Sequence, residues 1–334
     1  MKILITGASG FIGGYLVEEA LRKDWEVWAG IRKTSDKRYL THSALHFIDL
    51  EYTDEAALTK QITKHAAEYG AWDYIIHNAG ITKAIDEADY HRINHLYTVH
   101  LLHALQVSNN RPTKFVFMSS MGAVGPGDVV SGLPLTADDT PNPISEYGRS
   151  KLFAEEFIRS LTDIPWIILR PTGVYGPRER DYFVMLQLIK AGFNVSVGLK
   201  QKLLNFIHIS DLARVVFLSL ESPMIHKTWF VADGDIYTSD DFSNLLQEVL
   251  HQKKVLNIRI PLSLVKCLSI MAELVSRLSG KPTLLNKDKF LVMKQRNWTC
   301  DASLLERELN FKPAFSLYKG MEETVAWYTE NGWL

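Results

Sequence analysis

The sequence predicts an α/β fold, a doubly wound parallel sheet with a smaller, mostly helical lobe at the C-terminal end. Three observations predict it. Short runs rich in Val, Ile, Leu and Phe alternate with longer stretches of helical spacing as far as Arg170, the pattern of strands buried on both faces. The first apolar run stops at a cluster of glycines that opens the first helical stretch. The alternation then breaks after Arg170-Pro171, where Gly and Pro gather in Gly173-Val-Tyr-Gly-Pro-Arg178.

Lys2–Thr6 reads as a buried strand, and Gly13–Lys23 as a helix with Leu16, Ala20 and Leu21 on one side. Glu26–Ile31 and Ala44–Ile48 are the second and third strands. Asp54–Tyr69 is a helix, with Thr53 or Asp54 as its cap. Tyr74–His77 is the fourth strand, Tyr90–Val107 a long helix, and Lys114–Met118 the fifth strand. Tyr147–Thr162 is helical and Trp166–Arg170 is the sixth strand. Right-handed crossovers between parallel strands give the doubly wound (Rossmann) arrangement, with ligands at the carboxyl ends of the strands. Beyond it come a helix at Phe183–Ala191, a strand at Phe206–His208 and mostly helical segments. The expected division is 1–173, with 205–234 returning to it, as a dinucleotide-binding domain, and 174–204 with 235–334 as a substrate lobe. No repeats, low-complexity tracts or charge blocks stand out.

The formal net charge of −1 over 334 residues gives no global field to attract nucleic acid or an anionic membrane. Cys267 and Cys300 are the two cysteines and lack metal-ligand spacing, so no metal site and no disulfide framework is expected. No run approaches the roughly 20 apolar residues that span a bilayer, and Met1–Thr6 reads as a strand rather than a signal peptide. These readings favour a cytoplasmic protein.

Gly7-Ala-Ser9-Gly10-Phe11-Ile12-Gly13 lies between a strand and a helix. Such glycines allow a tight turn and close approach of the backbone to a pyrophosphate, and the helix N-terminus offers free N–H groups to it. A plain strand–helix turn is the bland alternative. The second strand ends at Ile31, then Arg32 and Lys33. A carboxylate there would bind both ribose hydroxyls of NAD and repel a 2′-phosphate, whereas this cationic pair suits one. NADP(H) is therefore favoured over NAD(H), unless Arg32 and Lys33 are only solvated loop charges. Asp49, before Leu50 at the end of the third strand, suits the adenine amino group or simply forms a turn.

Tyr147 and Lys151 stand four apart and share one helix face. A phenol is a poor base at neutral pH, and a neighbouring ammonium lowers its pKa. Tyr147 then exchanges a proton with an alcohol or ketone oxygen while hydride moves, Lys151 also holds the nicotinamide ribose, and Ser120 orients the substrate oxygen. A Tyr-x-x-x-Lys pair usually means a solvated couple. Its place after the fifth strand and Ser119-Ser120 argues otherwise.

With these motifs in order, the chain resembles the extended short-chain dehydrogenases/reductases, also called the NAD-dependent epimerase/dehydratase family. The resemblance rests on Gly7, Gly10 and Gly13, His77-Asn78-Ala79-Gly80, Asn94, Phe117-Met-Ser119-Ser120, Tyr147-x-x-x-Lys151, Leu169-Arg-Pro171-Thr172-Gly-Val174-Tyr-Gly-Pro-Arg178 and Phe206-Ile-His-Ile-Ser-Asp211. It implies catalysis by Ser120, Tyr147 and Lys151. It also implies cofactor contacts at Ser9, Phe11, Ile12, Leu50, Asn78, Ala79, Gly80, Ser119, Pro171, Thr172 and Val174, and often a homodimer. Two departures narrow it. Met121-Gly122 replace the Asp-Glu pair of the sugar-nucleotide dehydratases. Leu204-Asn205 replace the Arg-Asp with which sugar-nucleotide epimerases grip a diphosphate. Leu-Asn here, with the ending Leu309-Asn-Phe-Lys-Pro313 and Trp333-Leu334, is more similar to the dihydroflavonol-reductase and 3β-hydroxysteroid-dehydrogenase branch.

Three functions follow: an NADP(H)-dependent oxidoreductase acting on a hydrophobic ketone or secondary alcohol (sterol-, sphingoid- or flavonoid-like), a nucleotide-sugar epimerase with retained cofactor, and a dinucleotide-sensing protein without turnover. The last class typically lacks the Tyr or Lys that this chain keeps. Leu264, Leu268, Met271, Val275 and Leu278 form one face of a helix. It either packs on the second lobe, or serves as an apolar lid or a surface that touches membrane. Trp28, Trp298, Trp327 and Trp333 read as core, and His208 as a structural or cleft-lining histidine. Lys200, Lys202, Arg178 and Arg180 are the cations available to a phosphate site.

Overall fold

In the computed structural model, which describes residues 1–280, 283 and 285–334, the first half alternates as the sequence predicts. The order is β1 (Lys2–Thr6), α1 (Phe11–Arg22), β2 (Glu26–Gly30), β3 (His46–Ile48), α2 (Glu55–Tyr69) and β4 (Tyr74–His77). Next come α3 (Ala88–Tyr90), a π-helical turn at His91–Leu96, α4 (Tyr97–Val107), β5 (Lys114–Met118), a 3-10 turn at Met121–Ala123, α5 (Glu146–Ser160) and β6 (Trp166–Pro171). The rest runs β7 (Gly173–Tyr175), α6 (Asp181–Lys190), β8 (Phe193–Val197), β9 (Leu203–Leu204), β10 (Phe206–His208), α7 (Ile209–Glu221) and β11 (Lys227–Val231). It finishes with β12 (Tyr237–Thr238), α8 (Ser239–Val249), β13 (Leu256–Ile260), α9 (Leu262–Ser279), α10 (Lys287–Lys294), β14 (Asn297–Trp298), α11 (Ser303–Leu309) and α12 (Leu317–Glu330).

The main sheet has the order β11-β6-β5-β4-β1-β2-β3, parallel throughout. Side chains alternate between its faces, and both faces are buried. Ile3, Ile5, Val116, Ile167 and Leu169 meet α1 and α7 on one face. Leu4, Ile75, Phe115, Phe117 and Ile168 meet α2, α4 and α5 on the other. The chain reverses direction of winding between β1 and β4, which opens a crevice at their carboxyl ends. A separate cluster joins Leu186, Phe206, Phe242, Leu246, Met321 and Tyr328.

Sequence reasoning left out β7 and β11 as strands and the short pairings of β8 with β13, and of β9 with β12 and β14. Three of these strands have two residues each, too short for any periodicity to register. Asp54 is the cap of α2, its carboxylate accepting from the Ala57 N–H at 3.0 Å.

Candidate active site

The glycine turn after β1 closes tightly. Gly7 has φ +64, and a Cβ on it would lie 2.8 Å from the Asn78 carbonyl. A Cβ on Gly13 would lie 2.1 Å from the Gly7 carbonyl oxygen, so α1 packs directly against the turn. Gly10 caps α1 without any side-chain hydrogen bond, and no acid stands in the first turn. The leading N–H groups at Phe11 and Ile12 therefore face no competing carboxylate from the helix itself, the condition for receiving a pyrophosphate. Ser9 is partly exposed in the same turn, while Phe11 and Ile12 pack their side chains on the core.

Thr6 ties this turn to the end of β4. Its hydroxyl accepts the N–H groups of Asn78 (3.1 Å) and Ala79 (3.0 Å), and Asn78 Nδ2 donates to the Gly7 carbonyl at 3.4 Å. The Thr98 hydroxyl donates to the Asn94 carbonyl at 2.9 Å, so it accepts from His77 Nε2 at 3.1 Å. His77 Nδ1, 2.9 Å from the Thr6 hydroxyl, is then the acceptor. Burial pushes His77 down to about 3, so this chain of bonds is built on a neutral ring.

Arg32 and Lys33 are exposed where the chain leaves β2. Lys33 N–H donates to Asp49 Oδ2 at 3.1 Å and Arg32 N–H to Ser35 Oγ at 3.1 Å, so the loop is held by backbone contacts. Among the described residues neither cationic side chain makes an ion pair, although Arg38 and Lys37 nearby are engaged with Asp36 and the Phe47 ring. Asp49 is thus a loop anchor, and Leu50 beside it is core.

Across the crevice, Ser145 caps α5 and accepts from Gly148 N–H at 3.0 Å. Tyr147 and Lys151 follow one turn apart. The Ser120 hydroxyl accepts from Gly122 N–H at 3.0 Å, and Ser120 and Tyr147 both border Gly122, where a Cβ would lie 3.3 Å from the hydroxyl and 3.7 Å from the phenol ring. Lys151 Nζ donates to the Met118 carbonyl at 2.8 Å and lies 4.8 Å from the centre of the Phe117 ring. A Cβ on Gly80 would stand 3.3 Å from that ammonium and 2.8 Å from Asn94 Oδ1. The crevice thus brings Gly80, Asn94 and Lys151 together. Asn94, in the π-turn, binds the Ile81 N–H (2.8 Å) and carbonyl (3.0 Å) and the Ser150 hydroxyl (3.0 Å), a local departure from α-geometry of the kind found at functional sites.

The electrostatics differ from the expectation in one respect. Burial raises the Tyr147 phenol above its ordinary value, and the neighbouring Ser120 hydroxyl opposes this. Burial also pushes Lys151 down to about 8, with Glu155 acting the other way. Both groups are buried, and the ammonium is committed to the Met118 carbonyl, so the phenol stays protonated at neutral pH.

Ser119 also differs. Its hydroxyl donates to Glu155 Oε1 at 2.5 Å, so its side chain is turned into the protein rather than offered to a ligand. Glu155, fully buried, is held by Arg170 (2.6 Å) and Arg159 (2.7 Å). Sequence reasoning missed this carboxylate, although its place four residues after Lys151 put it on the same helix face. It also missed Asp288, which accepts from the Glu146 N–H at 2.6 Å and the Tyr147 N–H at 3.4 Å. Nothing local signals that contact, which spans 142 residues of sequence.

Thr172 is bound to the Val231 carbonyl through its N–H (3.1 Å) and hydroxyl (3.2 Å). Pro171 ends β6, and Val174 lies in β7 against the core. His208 caps α7, is buried, and lies 4.0 Å centre-to-centre from Phe315. The four candidate phosphate cations do not converge. Arg178 pairs with Glu18 at 2.7 Å and stacks on Tyr15 and Tyr39. Arg180 lies over Trp333, Lys202 donates to the Met293 carbonyl, and Lys200 is exposed.

The family model described as "NAD dependent epimerase/dehydratase family" matches residues 3–231. UDP-glucose 4-epimerase of Vibrio cholerae is 25% identical over 340 residues, covering 97% of this chain and 94% of that protein. Sterol-4-alpha-carboxylate 3-dehydrogenase, decarboxylating, of Dictyostelium discoideum is 24% identical, covering 96% and 99%. The crystal structure of UDP-glucose 4-epimerase with UDP-glucose from Thermotoga maritima superposes with a TM-score of 0.78 at 21% identity, over 99% of each chain. These are enzymes of the extended short-chain dehydrogenase type. The chain belongs to the NAD dependent epimerase/dehydratase family.

Proposed function

We propose that this enzyme moves a hydride between NADP(H) and a secondary alcohol or ketone on a hydrophobic, sterol- or sphingoid-like molecule. The observation that carries the reaction type is the placing of Ser120 and Tyr147 together against Gly122, beside a buried Lys151 and across the crevice from an uncapped α1 N-terminus. A bound nicotinamide dinucleotide supplies or accepts the hydride. The residues do the rest. The α1 N–H groups hold the pyrophosphate, Lys151 the ribose, and Arg32 with Lys33 the 2′-phosphate. Ser120 orients the substrate oxygen, and Tyr147, protonated at neutral pH, gives its proton to a ketone oxygen as that oxygen gains negative charge. Residues 174–204 and 235–334 close the substrate side.

The hydrophobic substrate is supported by what the cations do. Leu204 stands at the place of a diphosphate-binding Arg, Arg178, Arg180 and Lys202 have partners elsewhere, and of the four only the exposed Lys200 is left. A single exposed cation offsets little of the cost of burying a diphosphate. The likeness to a sterol dehydrogenase is nearly equal to the likeness to an epimerase and so is compatible with both substrate classes. The second reading is epimerisation of a nucleotide sugar with retained cofactor, favoured by the epimerase relative. The test is a turnover screen, setting steroid and 3-ketosphingoid ketones with NADPH beside UDP-, GDP- and dTDP-sugars with NAD+ and NADP+. Ketone-dependent NADPH consumption supports the first reading. Sugar interconversion without net cofactor consumption establishes the second.

A further inference from the structure

The helix α9 is inverted relative to an ordinary surface helix. Its buried positions are Val265, Ser269 and Ser276. Its exposed face carries Leu264, Leu268, Met271, Leu274, Val275 and Leu278, from 41% exposed at Leu268 to 82% at Leu278. At about 100° per residue these six lie within roughly 60° of Met271. A contiguous apolar surface of this kind on a folded chain marks an interaction site.

The surroundings identify the partner. Residues 251–300 contain ten Lys and Arg against two Asp and Glu, in a chain whose net charge is −1. The cations are spread singly or in one pair, which is why no block stands out in the sequence. Both acids are spent internally: Glu273 on Arg277 and Lys287, Asp288 on the start of α5. Lys266 and Arg277 are exposed on α9 itself beyond one edge of the apolar face, Arg277 paired with the half-buried Glu273. Elsewhere in the segment Arg259 and Lys289 pair with Asp240 and Asp181, and the remaining cations carry the excess positive charge. An apolar face bordered by cations matches a bilayer with anionic headgroups. A second copy seated on the same face would set one basic segment against another, because a two-fold interface pairs a patch with itself. Among the described residues no helix is long and apolar enough to cross a membrane, so α9 lies on the surface.

We propose that α9 docks the enzyme on an anionic lipid surface and thereby delivers a bilayer-borne substrate to Tyr147. The docking rests on α9 alone, and the delivery rests on the hydride-transfer reading above. The connection to the site is short. The inner side of α9 at Glu273 lines a narrow cleft with Tyr90, Asn286 and Asp288. The Tyr90 ring packs edge-on to Tyr147 at 6.3 Å, and Asp288 is bonded to the first turn of the Tyr147 helix.

Vesicle co-sedimentation of the full chain tests this, with phosphatidylcholine vesicles beside phosphatidylcholine–phosphatidylglycerol vesicles. The expected result is binding about tenfold or more tighter to the anionic vesicles, weakening as salt rises. Met271→Asp and Leu274→Asp change side chains that are 64% and 61% exposed, so folding is not at stake. Each is expected to reduce vesicle binding at least about tenfold, with thermal midpoint, NADPH affinity and turnover of a water-soluble ketone unchanged. The proposal is overturned if the parent chain stays in the supernatant with both vesicles, or if both variants bind like the parent. It is also overturned if sedimentation equilibrium shows a dimer that Leu274→Asp dissolves while neither form binds lipid. Vesicle binding without turnover of any ketone supports the docking and sinks the substrate reading instead.

Discussion

The crevice between β1 and β4 and the outer face of α9 treat polarity in opposite ways. Around the crevice, polar groups are buried and satisfied: the His77 ring between Thr6 and Thr98, Glu155 among Ser119, Arg159 and Arg170, and Lys151 on a carbonyl. On α9, serines face inward and leucines face out. A buried polar network is costly unless complete, and it holds its members in one geometry. An exposed apolar face gains nothing from the fold that carries it. The first arrangement suits groups that must be placed to a fraction of an ångström. The second suits a surface whose partner lies outside the chain.

The comparison breaks most decisively at Tyr147. Tyr147→Phe removes the proton donor and keeps the ring, so turnover should fall about 10²–10⁴-fold with NADPH affinity near that of the parent. Steady-state rates and a nicotinamide fluorescence titration separate the two. Lys151→Met should reduce both turnover and cofactor affinity, by about tenfold to a hundredfold in affinity. The parent also carries a pH signature. Burial places Lys151 at about 8, so its charge is present below that pH and lost above it. Turnover and NADPH affinity should both fall as pH rises through 8. An alkaline limb that persists unchanged in Lys151→Met would assign it to another group.

How much of this was readable beforehand follows from the kind of contact. The strands of the main sheet and the helices between them were legible because both sheet faces are buried, so each strand is a continuous apolar run (Phe115, Val116 and Phe117 are an example). Gly7, Gly13, Ser120, Tyr147 and Lys151 were legible because their spacing is local to a turn or a helix. Asp288 was not, since its partner is the start of α5, and the direction of the α9 apolar face was not, since periodicity finds a face without saying which way it points. The direction of the Tyr147 shift differed for a related reason: adjacency on a helix suggested a lowering by charge, and burial of the phenol raises it instead.

Smaller effects sharpen the contrast. Arg32→Ala should weaken NADPH by about tenfold to a hundredfold and leave NADH little changed, because only the former carries the 2′-phosphate. Parallel titration of both cofactors checks this, and a parent chain that prefers NADH would contradict the reading of the β2 end. Asp288→Ala removes the acceptor for the Glu146 and Tyr147 N–H groups and should cost about 1 kcal/mol in denaturant unfolding. Asp288→Asn keeps one acceptor oxygen and should recover most of it. Equal losses in the two variants would mean that Asp288 acts through its charge rather than as a cap.

The central claim is that this site reduces or oxidises a hydrophobic ketone or alcohol with NADP(H), and one assay addresses it directly. The purified chain is given NADPH and a bilayer-dispersed steroid or 3-ketosphingoid ketone, and in parallel UDP-glucose with NAD+ or NADP+, while the cofactor redox state and sugar identity are followed together. The account predicts NADPH consumption that depends on the ketone and is abolished in Tyr147→Phe, with UDP-glucose recovered unchanged. Conversion of UDP-glucose to UDP-galactose with no net loss of cofactor, and no consumption with any ketone, would contradict it.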